Sequence, residues 1–181
     1  MTDPNALPRL VSSEIVYDGQ LFDVERDVLE MPGGVRASRE IIRHPGAVCM
    51  VPVAPDGRLL MVTQYRHAAG RRLLELPAGT LEPGEDPRET AIRELQEEVG
   101  MFPGTVEPMG GFFVAPGYTS EYIHLFVCRD LRERQLDGDE DEDIEVHPVT
   151  LDEALKLIEA GRIVDAKSII GLLRFATRAN R

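Results

Sequence analysis

Apolar positions in this chain fall mostly into short β-like runs, each closed by a turn signal, with helical spacing near the middle and again at the end. Residues 1–10 read as a loose leader. Ile15-Val16-Tyr17 then runs into Asp18-Gly19, a strong hairpin dipeptide. Leu21 to Leu29 follows, and Gly33-Gly34 turns the chain into Ala37 to Arg43. These runs predict an antiparallel three-strand arm over residues 1–45, set before a main domain at 46–181. An arm of this kind can build a dimer or cover a substrate.

Ala47 to Val53 has the unbroken apolar character of a buried strand, and Asp56-Gly57 turns it into Leu59 to Val62. Leu73 to Leu76 is a short strand ending at Pro77-Ala78-Gly79. A helix is then signalled at both ends. Asp86 is an N-cap residue, Pro87 suits the first helical position, Glu89 completes a capping box and Gly100 is a C-terminal stop. Ala91, Ile92, Leu95 and Val99 give that helix an apolar face. Val106 to Val114 and Tyr122 to Val127 read as strands joined through Pro116-Gly117, and Ile144 to Val149 looks extended. Thr150 and Glu153 form a second capping box for a helix through Ala160, and Asp165 caps a last helix rich in Ile, Leu and Phe. Strands on both sides of a helix, followed by two more helices, predict an α/β sandwich.

The middle helix carries the chemistry. Residues three and four apart share a face, so Glu94 lies beside both Glu97 and Glu98. Like charges so placed destabilise an isolated helix by a few tenths of a kcal/mol each, roughly. A resident cation offsets that cost, and clustered carboxylates favour hard ions such as Mg²⁺ or Mn²⁺. As a bare E-x-x-E-E the group could equally be a solvated helix face. Its surroundings decide between the two.

The chain has 181 residues, 43% of them hydrophobic, enough to bury a core as one domain with an appended arm. A formal charge of −12 argues against nucleic acid or an anionic membrane as partner. An anionic substrate would need metal ions and local arginines to reverse the field at its site. Cys49 and Cys128 sit in apolar runs without framework spacing, which points to buried thiols in a reducing cytoplasm. No run approaches a membrane span, the polar N-terminus lacks signal-peptide character, and the four histidines are scattered too singly for a zinc site.

From Gly79 to Met101 the spacing is G-x5-E-x7-R-E-L-x-E-E-x-G-M, which resembles the Nudix box at every defined position. Further stretches are similar to the ADP-ribose pyrophosphatase subfamily of Nudix hydrolases: L-L-E-L-P-A-G before the box, A-P-G-Y-T-S-E after it, and G-R-I-V-D-A-K-S-I-I near the end. Pro116, 15 residues past Met101, falls close to that subfamily's distinguishing proline. The resemblance covers nearly the whole chain. It implies an α/β/α sandwich around a mixed β-sheet and cleavage of a nucleoside diphosphate linked to another moiety.

By position, the resemblance implies that Glu94 and Glu98 ligate two or three Mg²⁺ or Mn²⁺ ions, assisted by Glu97 and the Ala78 carbonyl. Arg93 would orient the glutamates through ion pairs, a role suited to the fixed fork of a guanidinium. On composition alone, Asp137 to Asp143 is a solvated acidic turn. The resemblance adds that a loop glutamate, Glu142 or Glu140, completes the metal coordination or takes a proton from water. Arg66 and Arg39 resemble substrate contacts, although either reads equally as a surface charge. Glu121, following Pro116-Gly117, resembles a sugar-binding glutamate. Phe22 is the nearest candidate for an adenine clamp, or else a core residue of its strand. The chain lacks tryptophan, so a tryptophan clamp is absent. The implied activity is hydrolysis of ADP-ribose to AMP and ribose 5-phosphate, and the arm strands predict a homodimer in which each arm completes the partner's site. The same chemistry on another sugar nucleotide such as GDP-mannose, a house-cleaning triphosphate hydrolase, and a non-catalytic nucleotide sensor are the rival readings.

Overall fold

The computed structural model describes residues 6–138 and 143–179. In chain order these form β1 (Arg9–Tyr17), β2 (Asp23–Glu30), β3 (Arg36–Arg43), β4 (Ala47–Pro52), β5 (Leu59–Arg66), a 3-10 turn at His67–Ala69, β6 (Arg71–Glu75) and β7 (Ala78–Thr80). Then come α1 (Pro87–Val99), β8 (Met101–Phe102), β9 (Thr105–Phe113), β10 (Tyr122–Arg129), β11 (Arg132–Glu133), β12 (Ile144–Val149), α2 (Leu151–Glu159) and α3 (Ala166–Ala179). The chain divides into two compact units, one comprising residues up to Gly46 with Phe113–Glu121, the other Ala47–Phe112 with Tyr122–Arg181.

The smaller unit is the expected antiparallel sheet, in the order β1-β2-β3. Strand β1 starts at Arg9, well before the predicted Ile15, and its residues are almost all exposed. A strand open on both faces needs no alternation of apolar and polar residues, which is why Arg9 to Glu14 did not read as one. The first hairpin is also wider than a two-residue turn. Asp18 to Phe22 all lie in the connection, where the Gly19 N–H donates to Asp23 Oδ1 at 3.2 Å. The segment from Phe113 to Glu121 joins this sheet through a parallel bridge between Ile42 and Thr119, so Pro116-Gly117 belongs to an excursion rather than a tight turn.

The larger unit shows how strand alternation builds two cores. Strand β4 runs parallel to β10 and antiparallel to β7 in a four-stranded mixed sheet of order β7-β4-β10-β9, and β12-β5-β6 form a second, antiparallel sheet. Successive side chains point to opposite faces. Ala47, Cys49 and Val51 therefore join Leu59, Met61, Leu125, Leu172 and Phe175 on the side of α2 and α3. Val48 and Met50 join Leu60, Val62, Phe126, Ala91 and Leu95 on the side of α1. This is the expected α/β/α sandwich around a mixed sheet. Cys49 and Cys128 are buried free thiols, and burial pushes Cys128 up to about 12. Among the described residues, no helix is long and apolar enough to cross a membrane.

Both helix starts follow sequence logic, with one difference. Thr150 and Glu153 make a complete capping box. Asp86 caps α1 by accepting from the Arg88 N–H at 2.8 Å, while Glu89 lies out beside the Arg88 guanidinium at 3.7 Å. Leu95 is the largest fully buried side chain of α1. Leu95→Ala should therefore lose about 2–5 kcal/mol of unfolding free energy in a urea titration. A change below about 1 kcal/mol would mean that α1 is not fixed by this face.

Candidate active site

The site is built where the loop from β7 enters α1. Arg93 is its organising residue. Its Nε and Nη2 donate to the two carboxylate oxygens of Glu85, both at 3.1 Å, and its Nη1 donates to Glu94 and Glu97, both at 2.8 Å. Nη2 also reaches the Thr80 carbonyl at 3.5 Å. One guanidinium thus ties the loop to the helix and shields three carboxylates from one another. The hydrogen bonds it donates to Glu85 hold Arg93 more firmly protonated than usual, and the same bonds hold the Glu85 carboxyl below the ordinary carboxylate range.

Glu98 is buried at 7% exposure, with its Oε2 accepting the Ala78 N–H at 3.0 Å. The Glu94 carboxylate lies against Gly79 so closely that a Cβ there would fall 1.8 Å from Glu94 Cδ. Gly79 is required by this approach, since its own φ is not in the left-handed region. A cleft of about 330 Å³ opens above, lined by Ala78, Gly79, Thr80, Glu82, Arg93, Glu94, Glu97 and, from the end of β5, Arg66.

Among the described residues, no three acidic, histidine or cysteine side chains converge as a ready-made metal cage. The reason is visible in the bonds above, since Glu94 and Glu97 engage Arg93 and Glu98 engages a backbone amide. The donor set nevertheless fits a hard divalent cation. It is all oxygen, its carboxylates are largely withdrawn from solvent, and a glycine gives Glu94 room.

Arg66 lines the cleft and is held by Glu75, with Nε donating to Oε1 at 3.1 Å and Nη2 to Oε2 at 2.9 Å. Phe22 is neither a strand residue nor buried. It lies in the loop before β2 with its ring 6.2 Å from that of Tyr17, because the wider hairpin lifts it off the sheet. Arg39 is exposed on β3 and donates to the Ser38 carbonyl at 2.7 Å. Glu121, Pro116 and Gly117 lie with Phe22 and Arg39 in the smaller unit, whereas Ala78, Arg93, Glu94, Glu97 and Glu98 lie in the larger. Glu140 and Glu142 lie outside the described residues. The described residues on either side of them are held by side-chain contacts. Gln135 Nε2 donates to the Glu97 carbonyl at 2.9 Å, and Arg72 forms an ion pair with Asp143. Two acidic residues were missed. Glu82, visible in the glycine loop, lines the cleft, and Glu75 gave no sequence signal beyond its place in L-L-E-L-P-A-G.

The profile of the NUDIX domain family matches residues 43–169. The chain belongs to that family. It is 39% identical over 162 residues to an ADP-ribose pyrophosphatase from Bacillus subtilis, covering 88% of each chain. It is also 40% identical over 166 residues to a methanol dehydrogenase activator from Bacillus methanolicus, covering 91% of this chain and 90% of the other. A solved ADP compounds hydrolase superposes with a TM-score of 0.87 at 28% identity, covering 99% of this chain and 97% of that one. The chain is thus a Nudix hydrolase with ADP-ribose pyrophosphatase relatives. Nudix hydrolases generally use divalent metal ions, in keeping with the donor set around Gly79.

Because the Glu94 carboxylate fills the space beside Gly79, Gly79→Ala must displace it. Mn²⁺ binding followed by calorimetry should weaken at least about tenfold while the far-ultraviolet spectrum is retained. Equal affinity in the two proteins would show that Glu94 does not hold the cation.

Proposed function

We propose that this Nudix hydrolase cleaves the diphosphate of ADP-ribose to give AMP and ribose 5-phosphate. The observation that carries the reading is that the charge-locked carboxylates Glu94 and Glu97 and the guanidinium of Arg66 line one cleft. Cation-binding and anion-binding groups thus share one site, as a net charge of −12 demands for a phosphate substrate. The names of the relatives supply the substrate, and another sugar nucleotide such as GDP-mannose is the alternative within the same chemistry.

In this reading Glu94 and Glu98 hold two or three Mg²⁺ or Mn²⁺ ions, with Glu97 and the Ala78 carbonyl assisting. The bound ions would neutralise diphosphate oxygens and make water a better nucleophile. The remaining work falls to the chain. Arg93 keeps Glu94 and Glu97 in one orientation, and Arg66 presents its guanidinium to the diphosphate. Glu142 or Glu140 accepts the proton of the attacking water once within hydrogen-bond reach. Roles at the sugar and base for Glu121, Pro116, Gly117, Arg39 and Phe22 belong to the same proposal. So do residues 1–45 as an arm that dimerises or covers substrate, and a cytoplasmic homodimer as the working form.

Glu98→Gln tests the reading most simply, because glutamine keeps the shape and an acceptor for the Ala78 N–H. With Mg²⁺ and ADP-ribose, kcat should fall by at least about a hundredfold, the scale of losing one group that stabilises developing charge. The melting temperature should remain close to wild type. Near-normal turnover would remove Glu98 from the metal site.

A further inference from the structure

We infer that Glu75 is a positioning residue for Arg66, and that it is itself fixed by Lys167 at the start of α3. This rests on the proposed role of Arg66 at the substrate diphosphate. Glu75 is 1% exposed and grips the Nε–Nη2 edge of the Arg66 guanidinium in a fork, which sets the plane of the whole group. Behind it, Lys167 Nζ forms an ion pair with Glu75 Oε2 and donates to Asp165 Oδ2 at 3.0 Å. The same turn of α3 supplies Ser168, whose Oγ accepts the Leu76 N–H at 2.7 Å. The Asp165-Ala166-Lys167-Ser168 stretch therefore holds both Glu75 and the backbone leading into Ala78-Gly79.

Two physical costs argue that this cluster serves more than stability. A buried ion pair is often no more stabilising than well-packed apolar residues of the same volume. A cation in the first turn of a helix also opposes the helix dipole. Burial by itself would push the Glu75 carboxyl up, but Arg66 and Lys167 outweigh it and hold it below the usual range. Burial would likewise lower Lys167, yet Asp165 and Glu75 raise it. Glu75 is thus held as an anion and Lys167 as a cation within the buried pair.

The need for such a device follows from the cleft. Its walls include Glu82, Glu94 and Glu97, each able to draw a guanidinium toward the cation-binding carboxylates. Glu75 competes with them for Arg66 through its two-point fork and keeps the remaining donors directed at an incoming diphosphate. With glutamine at this position the side-chain amide would confront the donors of Arg66 and Lys167, and the fork would be lost.

A double-mutant cycle with Arg66→Ala separates positioning from general stability. Glu75→Gln should lower kcat/KM for ADP-ribose about tenfold when Arg66 is present, the scale expected for a displaced positioning group. In the Arg66→Ala background it should cost less than about twofold. Equal losses in both backgrounds would overturn the proposal. A second readout needs no substrate. In ligand-free protein labelled with ¹⁵N-arginine, the Arg66 Nε–H resonance should be protected from water exchange in the wild type and broadened in Glu75→Gln. An unchanged resonance would equally overturn it. If Glu75→Gln does not melt cooperatively, Glu75→Asp repeats both measurements with the charge for Lys167 retained and the carboxylate withdrawn from Arg66. Wild-type protein that yields no AMP would instead refute the substrate assignment, leaving the resonance to decide the positioning role.

Discussion

The bond set of Arg93 is the constraint on which the rest of the site depends. Three carboxylates, from Glu85 in the loop and Glu94 and Glu97 on α1, meet one guanidinium at 2.8 to 3.1 Å. Without it, like charges within two turns would weaken the helix and repel the loop. With it, the loop cannot move away from the helix, and the carboxylates are presented as one surface. Lysine could not substitute, because a point charge has no fork with which to hold Glu85 through two parallel bonds.

Packing then decides where that surface faces. Ala91 and Leu95 are buried among Val48, Met50, Leu60 and Phe126, so the opposite side of α1 has only the cleft to occupy. On the other side of the sheet, α3 approaches so closely that a Cβ on Gly171 would lie 2.7 Å from Leu76 Cδ1. That approach brings Lys167 and Ser168 to Glu75 and Leu76, immediately before the Ala78-Gly79 backbone. The cleft is thus set by an apolar helix face packed on β4, β5 and β10 and by a helix start that reaches the end of β6.

Local signals in the sequence carried much of this. The caps and apolar face of α1, the carboxylates and arginine of the box, and the unbroken apolar run of β4 each have a short-range physical cause. Gly79 could be marked as a loop glycine, though the reason for it, contact with Glu94, is tertiary. What stayed hidden was long-range. Strand β1 is exposed on both faces and so left no pattern before Ile15. The segment around Pro116-Gly117 is defined by its bridge to Ile42, distant in sequence. Glu75 acquires its meaning only from Arg66 and Lys167, one on a neighbouring strand and one 92 residues further along the chain.

The central claim is that this carboxylate and arginine arrangement serves ADP-ribose in preference to other nucleotides. The most direct measurement is product analysis with Mg²⁺ across ADP-ribose, GDP-mannose, other nucleotide sugars, NADH and nucleoside triphosphates, comparing kcat/KM. The account predicts the highest value for ADP-ribose, with AMP and ribose 5-phosphate as the products. A higher value for another substrate, or no turnover with any of them, would contradict it.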